Sequence, residues 1–268
     1  MRFIGIILTM LLCALAVPLA AEMRSLDLKD RSFNLYQPDD SGDQPLALIV
    51  VLHGSYGSAA GVANHLPLLE ATTTTRFRVV YLNATMFEKV PGDPGRVWND
   101  GACCGEGLRP AVDDAAFIDA VIRDLGTRGL TRAGAVYMVG HSNGAQMAYR
   151  YVCDHGGTIA GLVAIAGALT LQNCTDQTGL SVLNIHGSED DTIPLQGGRT
   201  NRTPEILYPA IADAGASLVA AGASFHLAIV PGAGHRLPSI DRFMRKSCGP
   251  GLADAVLALI FSGTIPKP

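Results

Sequence analysis

A serine stands between two glycines in the segment Gly140-His141-Ser142-Asn143-Gly144. The apolar residues 135–139 before it predict a short strand, and residues 145–151 after it predict a helix. A strand, a sharp turn and a helix would lift the Ser142 hydroxyl clear of the backbone, where it can act as a nucleophile. The glycines fit because a Cβ would clash in so tight a turn. The segment predicts a nucleophile elbow, and the alternative is an ordinary strand-to-helix turn.

A nucleophilic serine needs a base and an acid, and candidates for both follow it in the chain. The apolar run 181–185 predicts a strand that leads to Asp190, and residues 225–230 predict another that leads to His235 in a glycine-flanked loop. Catalytic groups of open α/β sheets lie at the carboxyl ends of such strands. The chain order serine, acid, histidine is that of α/β-hydrolases. We therefore predict Ser142 as nucleophile, His235 as base and Asp190 as orienting acid.

Asp190 is one of three neighbouring acidic residues, so the choice of the acid is open at this point. Glu189 and Asp191 are the alternatives, and the residues directly after His186 are expected to form the turn. Two further histidines, His186 and His141, also lie close to the predicted site in the chain. We expect both to pack beside the site without a catalytic role.

Backbone amides can complete a site of this kind by binding the oxyanion of a tetrahedral intermediate. The N–H of Asn143 follows the nucleophile directly. The predicted strand 46–52 runs into a His-Gly-rich loop, and α/β-hydrolases place the second N–H donor in such a loop. We predict that donor to be Ser55 or Tyr56.

The elements that must position these residues alternate between strands and helices, which predicts a mostly parallel sheet. Residues 25–36 suggest an opening hairpin or edge strands, and residues 87–107, rich in Gly, Pro and Cys, suggest a functional surface loop. Further strands are expected at 78–82 and 162–166. Helices are expected at 59–70, from Asp113 or Asp114 onward, at 203–214 with a kink at Pro209, and at 252–261.

Composition sets the limits of this interpretation. At 268 residues, with 48% hydrophobic and 16% charged residues, the chain can bury one large α/β core. The formal net charge of −4 offers no basic face to nucleic acid. No segment has the spacing of a metal-binding motif, so we expect neither metal nor nucleic acid as a partner.

The first residues have the pattern of an export signal. Arg2 precedes the apolar stretch 3–19, and the small residues Ala20 and Ala21 follow it. We predict a signal peptide over residues 1–21, a single catalytic domain over residues 22–268, and a secreted or periplasmic location. The alternative is an uncleaved N-terminal anchor. After cleavage we expect no stable membrane span.

Five cysteines would remain in the exported chain, and export favours disulfides. We predict that the adjacent Cys103 and Cys104 pair with Cys153 and Cys174, with Cys104–Cys153 as one possible bond. Five is odd, so Cys248 has no assigned partner. The alternative is that some of these are buried thiols.

Several segments together resemble the poly(3-hydroxybutyrate) depolymerase and feruloyl esterase family of secreted α/β-hydrolases. The resemblance spans about residues 46–235 and implies the α/β-hydrolase fold, with helices on both faces of a mostly parallel central sheet. It also implies a serine esterase with Ser142, Asp190 and His235 as the triad and no cofactor. The segments that carry it are His53-Gly54 with Gly57-Ser58, Trp98-Asn99 with Cys103-Cys104, Val112-Asp113-Asp114 with Phe117-Ile118, Gly140 to Gly144, His186-Gly187-Ser188 with Asp190, and Gly234-His235.

The substrate is expected to lie in an open cleft formed by the loops around Ser55, Trp98, Leu195 and Leu237. Trp98 would either line this cleft or anchor the long loop. Many members of the family have a tryptophan two residues after the catalytic histidine, where this chain has Leu237, which favours aliphatic over feruloyl acyl groups.

The expected substrates are short hydroxyacyl oligoesters, and feruloyl or acetylxylan esters are the alternative. Two other classes of function remain. A serine peptidase of this fold would usually carry a gating domain, for which the chain has no room. A non-catalytic binding protein on the same scaffold would not need an intact triad.

Overall fold

The computed structural model describes residues 21–28, 31–38, 41–68, 77–90, 93–102, 112–171 and 174–262. Ten strands and six helices form in these ranges. The strands are β1 (Ala21–Leu28), β2 (Arg31–Pro38), β3 (Leu46–Leu52), β4 (Phe77–Leu82), β5 (Thr85–Val90), β6 (Asp93–Val97), β7 (Thr131–His141), β8 (Gly161–Ile165), β9 (Ser181–Gly187) and β10 (Ser224–Val230). The helices are α1 (Ala59–His65), α2 (Asp114–Thr127), α3 (Asn143–Asp154), α4 (Ile211–Ala220), α5 (Leu237–Cys248) and α6 (Leu252–Ser262).

Eight strands form one sheet in the order β1-β2-β4-β3-β7-β8-β9-β10. The first two pairings, β1 with β2 and β2 with β4, are antiparallel, and the pairings from β4 to β10 are parallel. The central strand β3 is almost wholly buried, which suits its run of Ala, Leu, Ile and Val because both faces are covered. The predicted opening hairpin and mostly parallel sheet are confirmed.

Helices cover both faces of the sheet, as predicted. One core cluster joins the sheet to α2, α3 and α4 through residues such as Ile118, Met147 and Leu218. The other joins the opposite face to α1, α5 and α6 through residues such as Val62, Ile240 and Val256. These two clusters enclose the parallel part of the sheet, in which the carboxyl ends of β7, β9 and β10 lie at the same edge, and the predicted catalytic residues follow these three ends.

Two predicted elements are wrong. Residues 87–107 were expected to form a functional surface loop, but in the part of this segment that the structure describes β5 and β6 pair as an antiparallel hairpin. Residues 203–214 were expected to form a kinked helix, but α4 begins only at Ile211, two residues after Pro209. A proline inside a helix lacks an N–H and clashes with the preceding turn, so the helix starts beyond it. Before it, Tyr208 pairs with Gly198 in an isolated bridge.

The cysteine pairing also differs from the prediction, since the structure joins Cys153 to Cys174. Cys153 lies in the last turn of α3, and the chain after β8 returns beside that helix end. There the amide of Gln177 donates to the carbonyl oxygens of Val152 and Thr175. The two cysteine Cα atoms lie 4.6 Å apart, so neither thiol is left for Cys103 or Cys104. Those two residues lie outside the described ranges.

The signal prediction concerns residues 1–21, of which all but Ala21 lie outside the described ranges, and it stays a prediction. Among the helices that the structure describes, none is both long and apolar enough to cross a bilayer.

Candidate active site

Ser142 occupies the turn between β7 and α3, as the sequence pattern predicted. Its backbone has φ +54° and ψ −124°, a conformation that L residues rarely adopt. The flanking glycines are required by close packing. A Cβ at Gly140 would collide with the carbonyl oxygen of Gly144, and one at Gly144 with the carbonyl oxygen of Leu52. The turn therefore holds the serine hydroxyl in a strained but fixed position.

Three predicted residues meet in one line of hydrogen bonds. His235 Nε2 lies 2.8 Å from Ser142 Oγ, and His235 Nδ1 lies 2.8 Å from Asp190 Oδ2. An ionised carboxylate only accepts, so Nδ1 carries the proton that points to Asp190. Nε2 is then free to accept the serine proton, which is the protonation state that a general base needs.

Asp190 is the acidic residue that the structure brings to His235, while Glu189 and Asp191 are exposed. Its Oδ1 accepts from the N–H groups of Thr192 and Ile193, both at 2.9 Å. Burial alone would raise the pKa of Asp190, but hydrogen bonds from His186 and His235 and the charge of His235 hold it well below its usual range. Asp190 is therefore a carboxylate at neutral pH.

Backbone contacts hold the acid and the base together. The loop after β9 donates from Ser188 N to Val230 O and from Glu189 N to Ala233 O. A Cβ at Gly187 would collide with the carbonyl of Ala233, so this glycine lets the two loops touch. The sequence pattern placed both loops at neighbouring strand ends, and these contacts fix their distance.

Of the predicted oxyanion donors, the structure excludes one. Asn143 is the first residue of α3, where a backbone N–H has no acceptor within the helix. The prediction of Tyr56 is wrong, because its N–H donates to Arg96 O at 2.8 Å in the β5–β6 hairpin. Ser55 lies in the same loop beside the site and stays the predicted second donor.

Comparison with known proteins adds to this geometry. A sequence model of the family described as Phospholipase/Carboxylesterase matches residues 110–207, which include Ser142 and Asp190. The protein of Nocardia uniformis subsp. tsuyamanensis named "Putative esterase NocK" is 32% identical over 157 residues. That alignment covers 58% of this chain and 42% of the Nocardia protein, so it spans less than half the length of this relative.

Solved structures resemble the fold over a larger part of the chain. A carboxylesterase from Mesorhizobium loti superposes with a TM-score of 0.57 at 19% identity, covering 84% of this chain and 99% of that one. The protein TT1662 from Thermus thermophilus superposes with a TM-score of 0.57 at 20% identity, covering 85% of this chain and 98% of the Thermus protein. This chain has the α/β-hydrolase fold. Within that fold, the nucleophile elbow and the loops after β9 and β10 bring Ser142, Asp190 and His235 together.

Two buried histidines support the loops that carry the site. As expected, His186 packs beside the site, with Nε2 2.8 Å from Ile193 O. His53 was not foreseen. Its Nε2 accepts from Ala84 N at 3.1 Å, so its other ring nitrogen, Nδ1, donates to Gly54 O. Burial lowers the pKa of His53 to about 4, and the ring is neutral at pH 7. Ring–backbone hydrogen bonds at this strand end could not be inferred from residue types alone.

An open cavity of about 930 Å³ lies beside Ser142. Ser55 and Leu237 line it, as the sequence analysis predicted. Gln146 also lines it, and sequence reasoning missed this residue although it follows Ser142 by one helical turn. Within the described ranges, no three His, Cys, Asp or Glu side chains are arranged to hold a metal ion.

Two residues predicted to bind substrate do not reach the cavity. Trp98 is 0% exposed, and its indole N–H donates to His53 O, so it anchors the chain after β6. Leu195 packs against a small buried cluster that includes Ile193 and Ile211. An indole needs a partner for its N–H when buried, and the His53 carbonyl provides one.

Proposed function

We propose that this protein is a serine hydrolase that cleaves carboxylic esters through an acyl-enzyme. The observation that carries the proposal is the hydrogen-bonded line from Ser142 Oγ through His235 to Asp190, which opens onto the cavity. The strained elbow and the buried, ionised acid support it because both are features of an activated nucleophile.

The first half of the reaction transfers the acyl group. Ser142 Oγ attacks the ester carbonyl carbon while its proton passes to His235 Nε2. The tetrahedral oxyanion is bound by the N–H of Asn143 and by the second donor, predicted at Ser55. Collapse of the intermediate breaks the bond to the alcohol, which leaves with the proton from Nε2. The acyl group is then esterified to Ser142.

The second half returns the enzyme to its starting state. Water enters as the alcohol leaves, His235 Nε2 removes one of its protons, and the hydroxide oxygen attacks the acyl carbon. Ser142 Oγ departs with the proton from His235, and the carboxylic acid is released. Asp190 stabilises the imidazolium in both halves without itself taking a proton.

Short hydroxyacyl oligoesters are the substrates that we propose, with an activity like that of polyhydroxybutyrate depolymerases. The support is the sequence resemblance together with an aliphatic residue, Leu237, at the cavity wall in place of the tryptophan that many family members carry. We also propose that the enzyme is exported, from its N-terminal pattern. Sequencing the N-terminus of protein recovered from the medium or periplasm tests the cleavage after Ala21.

A substrate panel tests the activity. The purified protein would be offered hydroxybutyrate dimers and trimers, p-nitrophenyl butyrate, methyl ferulate, acetylated xylan and a peptide amide, with Ser142→Ala as control. We expect hydroxybutyrate oligomers to have the highest kcat/KM and the control to be inactive. A tenfold preference for ferulate would reject the aliphatic preference, and activity on the amide alone would reject the esterase.

A further inference from the structure

Gln146 carries a buried side-chain amide that has no hydrogen-bonding partner among the described residues. Its side chain is 2% exposed, and neither Oε1 nor Nε2 is hydrogen-bonded to any part of the chain that the structure describes. Burying an amide in this way is unfavourable, and natural proteins usually avoid it. Such an exception calls for an explanation.

The position of Gln146 provides an explanation for its unpaired amide. Among the described residues, unpartnered buried side-chain atoms also occur in Arg31 and Thr131, but Gln146 is the one of the three that lines the cavity beside Ser142. Some other polar residues of the cavity wall have partners within the described chain. Thr203 Oγ1, for example, lies 3.0 Å from Thr200 Oγ1. The donor and acceptor atoms of the Gln146 amide are thus left unused by the described part of the chain, at a residue that lines the cavity.

Helix geometry places Gln146 close to the reacting group. Gln146 is four residues after Ser142, one turn along α3, and its backbone N–H donates to Ser142 O at 3.0 Å. During the proposed reaction the acyl group is covalently attached to Ser142. The acyl part of the substrate therefore stays next to Gln146 throughout, whereas the alcohol departs after the first step.

We propose that Gln146 determines acyl specificity by hydrogen-bonding a hydroxyl group carried on the acyl chain a few bonds from the scissile carbonyl. This inference rests on the esterase function proposed above. A hydroxyl can donate to Oε1 or accept from Nε2, whereas a plain alkyl chain can do neither. An alkanoyl ester would leave the buried amide unpaired in the complex, and a site with an unpaired polar group discriminates against such an analogue.

The test compares two esters that differ in one hydroxyl, p-nitrophenyl 3-hydroxybutyrate and p-nitrophenyl butyrate. The ratio of their kcat/KM values is measured for the wild type, for Gln146→Met and for Gln146→Leu. Methionine has a similar length but offers no comparable hydrogen bond. We expect the ratio to fall about tenfold or more, the size expected for loss of a buried hydrogen bond. A second apolar variant covers the case in which the first does not fold.

Gln177 provides a matched control. It is equally buried, at 1% exposed, but its amide donates to Val152 O and Thr175 O at the far end of α3. We expect Gln177→Met to lower the melting temperature and to leave the substrate ratio unchanged. In Gln146→Met the ratio should change without a comparable loss of stability.

The outcomes separate this inference from the proposed function. If both Gln146 variants keep the wild-type ratio, or lose activity equally on both esters, the role of Gln146 is refuted while the esterase stands. If the wild type hydrolyses neither ester and no other ester of the panel, the proposed function itself is refuted.

Discussion

His141 Nε2 donates a hydrogen bond to the backbone carbonyl oxygen of His235 at 3.0 Å, and the two imidazole rings lie 5.3 Å apart. The residue just before the proposed nucleophile is thus tied to the residue that would take its proton. Burial, and after it repulsion from His235, lowers the pKa of His141 to about 3, so it is a neutral donor at working pH.

Replacing His141 should disturb the alignment of His235. We expect His141→Phe to lower kcat by about 10- to 100-fold, because a small misplacement of catalytic groups has effects of this size. The pKa of the acidic limb of the kcat/KM–pH profile should also shift, a change that a general loss of folded protein would not produce. His226→Phe, an exposed site on β10, is the control. Equal losses in both variants would argue against a positioning role.

Removal of the nucleophile should reduce activity, and replacing it with glycine should also relieve backbone strain. Ser142→Ala and Ser142→Gly should each lower kcat by about 10⁴- to 10⁶-fold. Glycine tolerates the φ of +54° that alanine does not, so Ser142→Gly should exceed Ser142→Ala in unfolding free energy by about 1 kcal/mol or more. Urea denaturation measures this difference. A fluorophosphonate probe should label the wild type at Ser142 and neither variant.

Two neighbouring aspartates should respond very differently to the same substitution. Asp190→Asn should reduce kcat by about 10⁴-fold, because the imidazole loses the acceptor that fixes its tautomer. Asp191→Asn should change kcat less than about twofold, since Asp191 is exposed and contacts Arg202 and Thr192 instead of His235. The reverse ranking would move the acid by one position.

The buried histidines should make stability depend on pH. The pKa of His53 is lowered from about 6.5 in the unfolded chain to about 4 in the folded protein. Between these values the unfolded chain binds a proton that the folded protein does not, so stability falls as pH falls from 6.5 to 4. The contribution is about 3 kcal/mol over this range.

The variant His53→Gln tests that sign. Glutamine offers a donor and an acceptor but does not titrate in this range, so the unfolding free energy should depend less steeply on pH between 6.5 and 4. Urea midpoints at four pH values measure the slope in both proteins. His226→Gln should keep the wild-type slope, and a slope unchanged in His53→Gln would show that another group is responsible.

Much of the site geometry could be predicted because strand ends can be recognised in the sequence. Apolar runs mark β3, β7 and β9, and the residues just after a parallel strand must lie at one edge of the sheet. Assigning Ser142, Asp190 and His235 to the site then required few further assumptions. In these cases local pattern and global topology point to the same residues.

The incorrect predictions concern features that depend on contacts between distant parts of the chain. The β5–β6 hairpin contains Pro94 and Gly95, which are unfavourable in strands, yet the ring of Tyr56 lies where a Cβ of Gly95 would be. In the same region the Tyr56 N–H is hydrogen-bonded, so it cannot serve as an oxyanion donor. The partner of Cys153 likewise depends on where the chain returns after β8. Whether the Gln146 amide is paired depends on a cavity wall built by distant segments.

The side chain of Asn143 makes two hydrogen bonds to one residue, accepting from Trp98 N at 2.8 Å and donating to Trp98 O at 3.1 Å. This is the ring of two bonds by which paired residues of antiparallel strands recognise each other. The side-chain amide of Asn143 here takes the place of a backbone peptide group. Trp98 is therefore held in the way that a residue paired with a neighbouring strand is held. The amide hydrogen of Trp98, although it belongs to a loop, should therefore exchange with solvent as slowly as that of a core strand.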